Sequence, residues 1–392
     1  MRDDPDRLVV LQVLPALDGG GVERGTIEIV AAIVAAGGRA LVASSGGRMA
    51  SLVERAGGCH ITLPLASKSP LRVLRNAKRL ARVIRAEGVR IVHARSRAPA
   101  WSAWLAARRR RVAFVSTYHA PYSERTPGKR LYNGIMARGV RVIAISRHIA
   151  ALVIARHGID PARVRVIPRG VDAAIFDPER VSPDRKRRLA EAWRLPDGGD
   201  VILLPGRLTR WKGQSVLIEA MARMSHTDAI AVLVGGDQGR RRYVRELTAL
   251  AERLGVSARL RLVGHCDDMP AALSLASVVV NPSLAPEGFG RVVIEAQAMG
   301  RPVIASDHGG AAETIAHDAT GWLVPPGDVA ALTYALDYVL ALSPQERAAF
   351  GADARAAVVA TYTVAAMQAA TIAVYREILA LDVTLDGALD AG

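Results

Sequence analysis

The sequence predicts an α/β protein built from two doubly wound parallel sheets, one in each half of the chain. Three observations predict it. Short apolar runs rich in Val, Ile and Leu are continuous rather than alternating, as in parallel strands covered on both faces. Helical stretches separate them, which is the βαβ rhythm. The rhythm breaks once, at 172–200, and then restarts. That stretch holds prolines, the charge run Asp184-Arg185-Lys186-Arg187-Arg188 and the pair Gly198-Gly199, so it reads as a domain boundary with one amphipathic helix.

The elements follow in order. In the first half, strands are expected at 8–14, 40–43, 61–63, 90–93, 113–117, 140–144 and 164–167, with helices at 22–36 and 71–86. In the second half, strands are expected at 201–205, 229–234, 259–263, 278–281, 302–305 and 321–324. A helix should start at Gln214, and the tail from Asp328 reads as helical throughout. Ligands of open parallel sheets bind beyond the carboxyl ends of strands, so the loops that follow strands carry the candidate chemistry.

Composition narrows the function. Half of the 392 residues are hydrophobic and 23% are charged, which excludes a disordered chain. The net charge is +15 and is unevenly spread. Residues 1–180 hold 31 Lys and Arg against 13 Asp and Glu, a net of +18, and the remainder has a net of −3. A basic half implies an anionic partner: nucleic acid, a membrane surface or an acidic substrate. Aromatic residues are only 4%, too few for stacking on single-stranded nucleic acid. Cys59 and Cys266 are far apart and form no disulfide or zinc pattern, so both are expected as small core residues in a reducing cytoplasm. The acidic start Arg2-Asp3-Asp4-Pro5-Asp6-Arg7 is unlike a signal peptide. No apolar run reaches the roughly 18 residues of a spanning helix. The expected location is the cytoplasm, peripheral on the inner face of the cytoplasmic membrane.

Five loops stand out. Asp18-Gly19-Gly20-Gly21 precedes the first helix, where free N–H groups and the positive dipole end suit a phosphate or a sugar hydroxyl. It is not the dinucleotide fingerprint, which needs G-x-G-x-x-G and a later acid. Gly206-Arg207-Leu208-Thr209-Arg210-Trp211-Lys212-Gly213 places three cations between a strand and a helix, which favours a multiply charged anion, with a solvated basic loop as the equal alternative. Pro286-Glu287-Gly288-Phe289-Gly290-Arg291 carries one glutamate among glycines, and Glu295 lies about a turn into the next helix beside an apolar wall. A carboxylate there needs hydrogen bonds, which a ribose diol supplies. His119, in Ser116-Thr117-Tyr118-His119, ends a strand, where a structural role is the commoner alternative. His308, in Asp307-His308-Gly309-Gly310, reads as a solvent-exposed turn residue.

Taken together these motifs resemble the retaining glycosyltransferases of family 4. The resemblance rests on Gly206-Arg207-Leu208 with Lys212-Gly213, on Glu287-Gly288-Phe289-Gly290 with Glu295, on Gly309-Gly310-Ala311-Ala312-Glu313, and on Gly321-Trp322-Leu323-Val324-Pro325-Pro326-Gly327-Asp328. It implies the GT-B fold, two Rossmann-like domains facing a cleft. An acceptor domain is then expected at 1–175 and a nucleotide-sugar domain at 176–362, with a last helix, about 363–392, returning to the first domain. The resemblance also assigns roles. Arg207 and Lys212 neutralise the donor diphosphate, Glu295 holds the ribose, and Glu287 binds donor-sugar hydroxyls near the reacting centre. Main-chain groups of Phe289, Gly290 and Arg291 meet sugar and phosphate, His119 contacts the donor sugar, and Gly20 and Gly21 approach donor phosphate and acceptor. Front-face attack is expected, with a donor phosphate oxygen taking the acceptor proton. No metal or other cofactor is expected, since Asp267-Asp268 and Asp3-Asp4 are poorly placed as ligand pairs.

The basic half points to the acceptor. Helix 71–86 puts Arg72, Arg75, Lys78, Arg79, Arg82 and Arg85 largely on one face, with Leu71, Leu74, Ala77, Leu80, Val83 and Ile84 on another. Arg108–Arg111 and the group Arg125, Lys129 and Arg130 add further runs. Any single run also suits a plain solvated face; together they suit anionic headgroups or an acidic glycolipid. The pieces His93-Ala94-Arg95-Ser96-Arg97 and Ile167-Pro168-Arg169-Gly170-Val171-Asp172 are similar to bacterial enzymes of lipopolysaccharide-core assembly, with Arg95, Arg97 and Arg169 as candidate contacts to acceptor carboxylates or phosphates, or equally as partners of the few N-terminal acids. The leading reading is hexose transfer to a lipid-linked or lipopolysaccharide-core acceptor. The alternatives are a soluble acceptor, an epimerase or phosphorylase on the same fold, or a basic nucleic-acid-binding protein. The last lacks any helix-turn-helix, zinc or RNP pattern.

Overall fold

The computed structural model describes residues 7–124 and 126–381. The predicted acids Asp3 and Asp4, the basic Arg125 and the tail from 382 lie outside the described residues. The chain divides into two units, Met1–Arg169 with Val364–Gly392, and Gly170–Thr363. The division falls a few residues before the expected 175, and local bonds explain why. The Arg169 guanidinium donates to Gly21 O at 2.7 Å within unit 1, whereas Val171 N already donates to Tyr362 O at 2.8 Å within unit 2.

Unit 1 contains seven parallel strands: β1 (Val9–Val13), β2 (Arg39–Ser44), β3 (Cys59–Thr62), β4 (Ile91–Ala94), β5 (Ala113–Tyr118), β6 (Arg141–Ala144) and β7 (Val164–Val166). Their order is β3-β2-β1-β4-β5-β6-β7, so the direction of winding reverses between β1 and β4. Continuous apolar runs made this possible: every residue of β1 is buried. Gln12 is among them, and its amide donates to Thr26 O at 3.0 Å on the helix Gly21–Ala35. Cys59 is exposed, against the expectation of a core thiol, because β3 is the sheet edge and has one neighbour only.

The helix Pro70–Ala86 also corrects an expectation. Asn76, Ala77, Leu80, Ala81 and Ile84 are buried, but Leu71 and Leu74 are 67% and 54% exposed. Full burial starts only at Asn76; in the first turn Val73 is half-buried, its carbonyl accepting from Ser102 at 3.1 Å, and the leucines on either side of it stand beside exposed arginines.

The helix Val364–Ala380 completes unit 1. Met367, Ile372, Val374, Tyr375 and Ile378 join the same core as β1 and the helix Gly21–Ala35. Its Glu377 accepts from Arg141 on β6 at 2.7 Å and from Arg165 on β7 at 2.5 Å.

Unit 2 contains β8 (Val201–Pro205), β9 (Ile230–Val234), β10 (Leu260–Gly264), β11 (Val278–Asn281), β12 (Val303–Ser306) and β13 (Trp322–Val324), all parallel, in the order β10-β9-β8-β11-β12-β13. Winding reverses here between β8 and β11. Leu204, Leu217, Leu233, Val280, Ile304 and Leu336 centre its core. The boundary helix Pro183–Ala192 buries no residue fully and is anchored by Arg185, which meets Asp268 at 2.6 Å. The helix Pro344–Thr361 starts at a capping box of Ser343 and Glu346.

Glu377 offers a test of how the last helix is held. The hydrogen bond from Arg165, with those from Arg141 and both charges, keeps its carboxyl below the usual range. A depressed carboxyl stabilises the fold above its unfolded pKa, and the effect is lost as pH falls through the folded value. Glu377→Ala should cost about 1 kcal/mol and lower the melting temperature by about 2–4 °C at neutral pH. Scanning calorimetry should find this difference narrowing as pH falls below about 4.

Candidate functional site

The reversal between β8 and β11 sets two loops side by side beyond the carboxyl ends of those strands, where open sheets bind ligands. The loop after β8 ends in the short turn Arg210–Lys212, and the loop after β11 runs to Gly290. Leu284 N donates to Trp211 O at 2.7 Å and fastens one to the other. Lys212 Nζ then meets Glu287 Oε1 at 2.6 Å, with both side chains 11% exposed. Ser283 Oγ lies 2.6 Å from the same carboxylate oxygen, and Lys212 Nζ lies 4.8 Å from the Trp211 ring centroid. Burial pushes the Glu287 carboxyl up, but the Lys212 charge and the hydrogen bonds from Lys212 and Ser283 outweigh it and hold it below the usual range.

A third loop, after β12, supports the second. Gly310 N donates to Glu287 O at 2.9 Å. A Cβ at Gly309 would meet the Glu287 backbone, and one at Gly310 would meet the Gly288 carbonyl. Only a glycine pair permits that approach. His308 is therefore not the exposed turn residue expected. It is half-buried, with Nε2 2.7 Å from Ser283 O, because the loop is drawn against its neighbour.

The remaining unit 2 candidates fall into place around this pair. The helix Arg291–Ala298 starts just after Gly290, and Arg291 meets Glu295 at 3.4 Å with both largely buried. Phe289 is buried with its ring edge-on to Tyr362, 5.8 Å between centroids. Arg207 has an exposed side chain, and its carbonyl accepts from Gln214 at 3.0 Å. The structure thus pairs Lys212 with Glu287 and Arg291 with Glu295, and leaves Arg207 on the surface of the first loop. Ser283 and Asn281, whose side chain also hydrogen-bonds Glu287, were missed in the sequence, although Asn281 ends an expected strand and Pro282-Ser283 directly follows it. Asp268 caps the helix Met269–Leu275 besides pairing with Arg185. Among the described residues no group of three or more His, Cys, Asp or Glu is arranged to hold a metal ion.

Unit 1 holds the other candidates. Gly20 and Gly21 open the helix Gly21–Ala35. His119 follows β5, and its Nε2 is buried without a hydrogen-bond partner. Burial, with the charges of Arg169 and Arg95, keeps His119 well below the usual histidine range, so it is neutral at physiological pH. Arg95 and Arg169 are buried. Arg97 is engaged internally, donating to Asn133 Oδ1 at 2.9 Å and lying 4.0 Å from the Tyr122 ring centroid. Arg72, Arg75, Arg79 and Arg82 are all exposed. His93 was missed because it sits inside an apolar strand. It bridges Tyr375 OH at 2.6 Å and Thr117 Oγ1 at 2.7 Å.

The family model described as Glycosyl transferases group 1 matches residues 185–357, and Glycosyltransferase Family 4 matches residues 19–175. A solved glycosyltransferase from Rickettsia africae ESF-5 is 32% identical, with a TM-score of 0.88 covering 95% of this chain and 99% of that one. The chain belongs to the group 1, family 4 glycosyltransferases. As a family 4 glycosyltransferase it has the GT-B fold. Anabaena Alr3699/HepE, solved in complex with UDP and glucose, is 25% identical, with a TM-score of 0.84 over 95% of this chain and 100% of that one. A D-inositol 3-phosphate glycosyltransferase of Jonesia denitrificans is 34% identical over 62% of this chain, and the match spans 63% of that relative's length.

Removing the ammonium tests the pair. In Lys212→Met the hydrogen bonds from Ser283 and Asn281 remain but the cation is gone, so the Glu287 carboxyl rises relative to the unsubstituted protein. Stability that the depressed carboxyl supplies above the unfolded pKa of about 4.3 is then reduced. Melting temperatures should therefore show a deficit relative to the unsubstituted protein that widens from pH 4 to pH 8.

Proposed function

We propose that the protein transfers a hexosyl group from a nucleoside diphosphate sugar to an acceptor hydroxyl, with retention of configuration and without a metal ion. In this reading unit 2 takes the donor and unit 1 the acceptor. The observation that carries it is the buried Lys212–Glu287 pair at the β8/β11 reversal. Support comes from the likeness to Anabaena Alr3699/HepE, whose structure holds UDP and glucose.

The proposed chemistry follows from charge. Lys212 and Arg207 face the diphosphate, and the N-terminus of the helix Arg291–Ala298 adds free N–H groups to it. Cations and dipoles fixed at the leaving group are worth most in the transition state, when negative charge gathers there. Glu295 takes the ribose hydroxyls, and Glu287 takes sugar hydroxyls and stabilises positive charge at the anomeric carbon. Glu287 is a binder, not a nucleophile: its carboxylate is tied to Lys212 and Ser283. The acceptor hydroxyl attacks from the face of the departing diphosphate, forming the new C–O bond as the old one breaks, and a phosphate oxygen takes its proton.

Calorimetric titration with UDP in the presence of EDTA tests both donor and metal independence. The unsubstituted protein should bind, and Lys212→Ala should bind about 10–100-fold more weakly, the worth of a charged hydrogen bond. Equal affinity in the two would remove the donor assignment.

For the acceptor, the reading favours an anionic glycolipid met at a membrane surface. The support is the first turn of the helix Pro70–Ala86, where exposed Leu71 and Leu74 stand among exposed arginines, the pattern of a helix lying in a headgroup layer. A second reading, a soluble phosphorylated acceptor, is favoured by the name of the Jonesia denitrificans relative. No helix among the described residues is long and apolar enough to cross a membrane. Sedimentation with vesicles rich in phosphatidylglycerol distinguishes the two. The membrane reading expects binding at low salt that Leu71→Ser with Leu74→Ser reduces severalfold. The soluble reading expects none.

A further inference from the structure

Unit 1 has its own reversal of winding, between β1 and β4, and hence its own crevice beyond strand ends. Arg95 is the first residue past β4. Its N–H donates to Val13 O at 2.9 Å, which roots its backbone beside the end of β1 at that reversal. The residue is 2% exposed, and its Nε and Nη2 have no hydrogen-bond partner. These two nitrogens share one edge of the guanidinium and present parallel N–H groups, the fork that grips two oxygens of one anion. A guanidinium does not escape burial by losing its proton, so a charged edge left unpaired is costly to the fold.

The surroundings concentrate this charge. Arg169 is 6% exposed and donates to Gly21 O at 2.7 Å. Its guanidinium lies against Gly25, where a Cβ would collide with it, so a glycine inside a helix has a packing purpose. His93 and His119 feel both arginines, and burial with those charges holds each well below the usual range. Both imidazoles are therefore neutral. Glu28 acts on Arg95 through space. His119 Nε2, also without a partner, is a further group able to reach an oxygen.

We propose that Arg95, assisted by Arg169 and His119, binds a phosphate group of the acceptor. This rests on the reading that unit 1 takes the acceptor. A phosphate monoester fits because two oxygens fill the Arg95 edge and a third remains for His119. A soluble sugar phosphate and a phosphorylated lipid headgroup offer the same group.

The test is titration with inorganic phosphate in saturating UDP, which blocks any phosphate site in unit 2. The unsubstituted protein should bind phosphate and melt higher with it. Arg95→Met should lose at least tenfold in phosphate affinity, keep its UDP affinity, and melt no lower than the parent in the absence of phosphate, since an unpaired buried charge has been removed. Arg95→Lys keeps the charge without the fork, should lose affinity as well, and carries the test if the methionine variant does not fold. Unchanged phosphate affinity in either variant overturns the proposal, as does a lower melting temperature for Arg95→Met with its phosphate shift intact. Absence of UDP binding in the parent would instead count against the donor reading alone. With the site upheld, vesicles containing phosphatidate assign the source: Arg95-dependent sedimentation marks a lipid headgroup, and Arg95-independent behaviour marks a soluble acceptor.

Discussion

The ion pair between Lys212 and Glu287 is the interaction on which the unit 2 site depends. Two opposite charges that are nearly out of water hold each other only if their geometry is good and their remaining hydrogen-bonding capacity is met. Here that geometry is inherited from the sheet. The strands β8 and β11 are far apart in sequence but adjacent in space, because the winding reverses between them. Their loops therefore meet, and one backbone bond from Leu284 to Trp211 fixes their register. Ser283 completes the carboxylate, and the Gly309-Gly310 loop supports it from behind. Each part has a named reason to be where it is, and each reason traces back to the strand order.

Unit 1 uses the same topological device with the opposite electrostatic outcome. At its reversal Arg95 and Arg169 are buried, and the Nε and Nη2 edge of Arg95 has no hydrogen-bond partner. A satisfied pair in one unit and an unpartnered guanidinium edge in the other match the two proposed ligands, a donor diphosphate at Lys212 and an acceptor anion at Arg95. The basic excess of the first half thus has two addresses. Most of it is exposed, as on the helix Pro70–Ala86, and a small part is buried at strand ends where it has chemical consequences.

Much of this was legible in the amino-acid sequence, for a physical reason. Parallel strands buried on both faces leave uninterrupted apolar runs, so the spans expected at 201–205 and 278–281 coincide with β8 and β11. Loops after strands carry Gly, charged residues and His, so Lys212, Glu287 and His119 stood out, and Glu295 stood out as a carboxylate beside an apolar wall in the helix that follows. What was not legible depends on neighbours that a local pattern does not contain. The exposure of Cys59 follows from β3 being an edge, and the exposure of Leu71 and Leu74 follows from where the packing of one helix begins. His308 is drawn inward by a loop whose partner is remote in sequence. His93 was hidden because a histidine within an apolar strand shows its purpose only when Tyr375 and Thr117 are seen beside it.

In the proposed reaction the Lys212 ammonium, paired here with Glu287, holds the donor diphosphate. A crystal structure with UDP tests this directly. The account predicts a phosphate oxygen within hydrogen-bond distance of Lys212 Nζ, with the nucleoside ribose at Glu295. A diphosphate bound elsewhere, with the Lys212–Glu287 pair undisturbed and no phosphate near it, would contradict it.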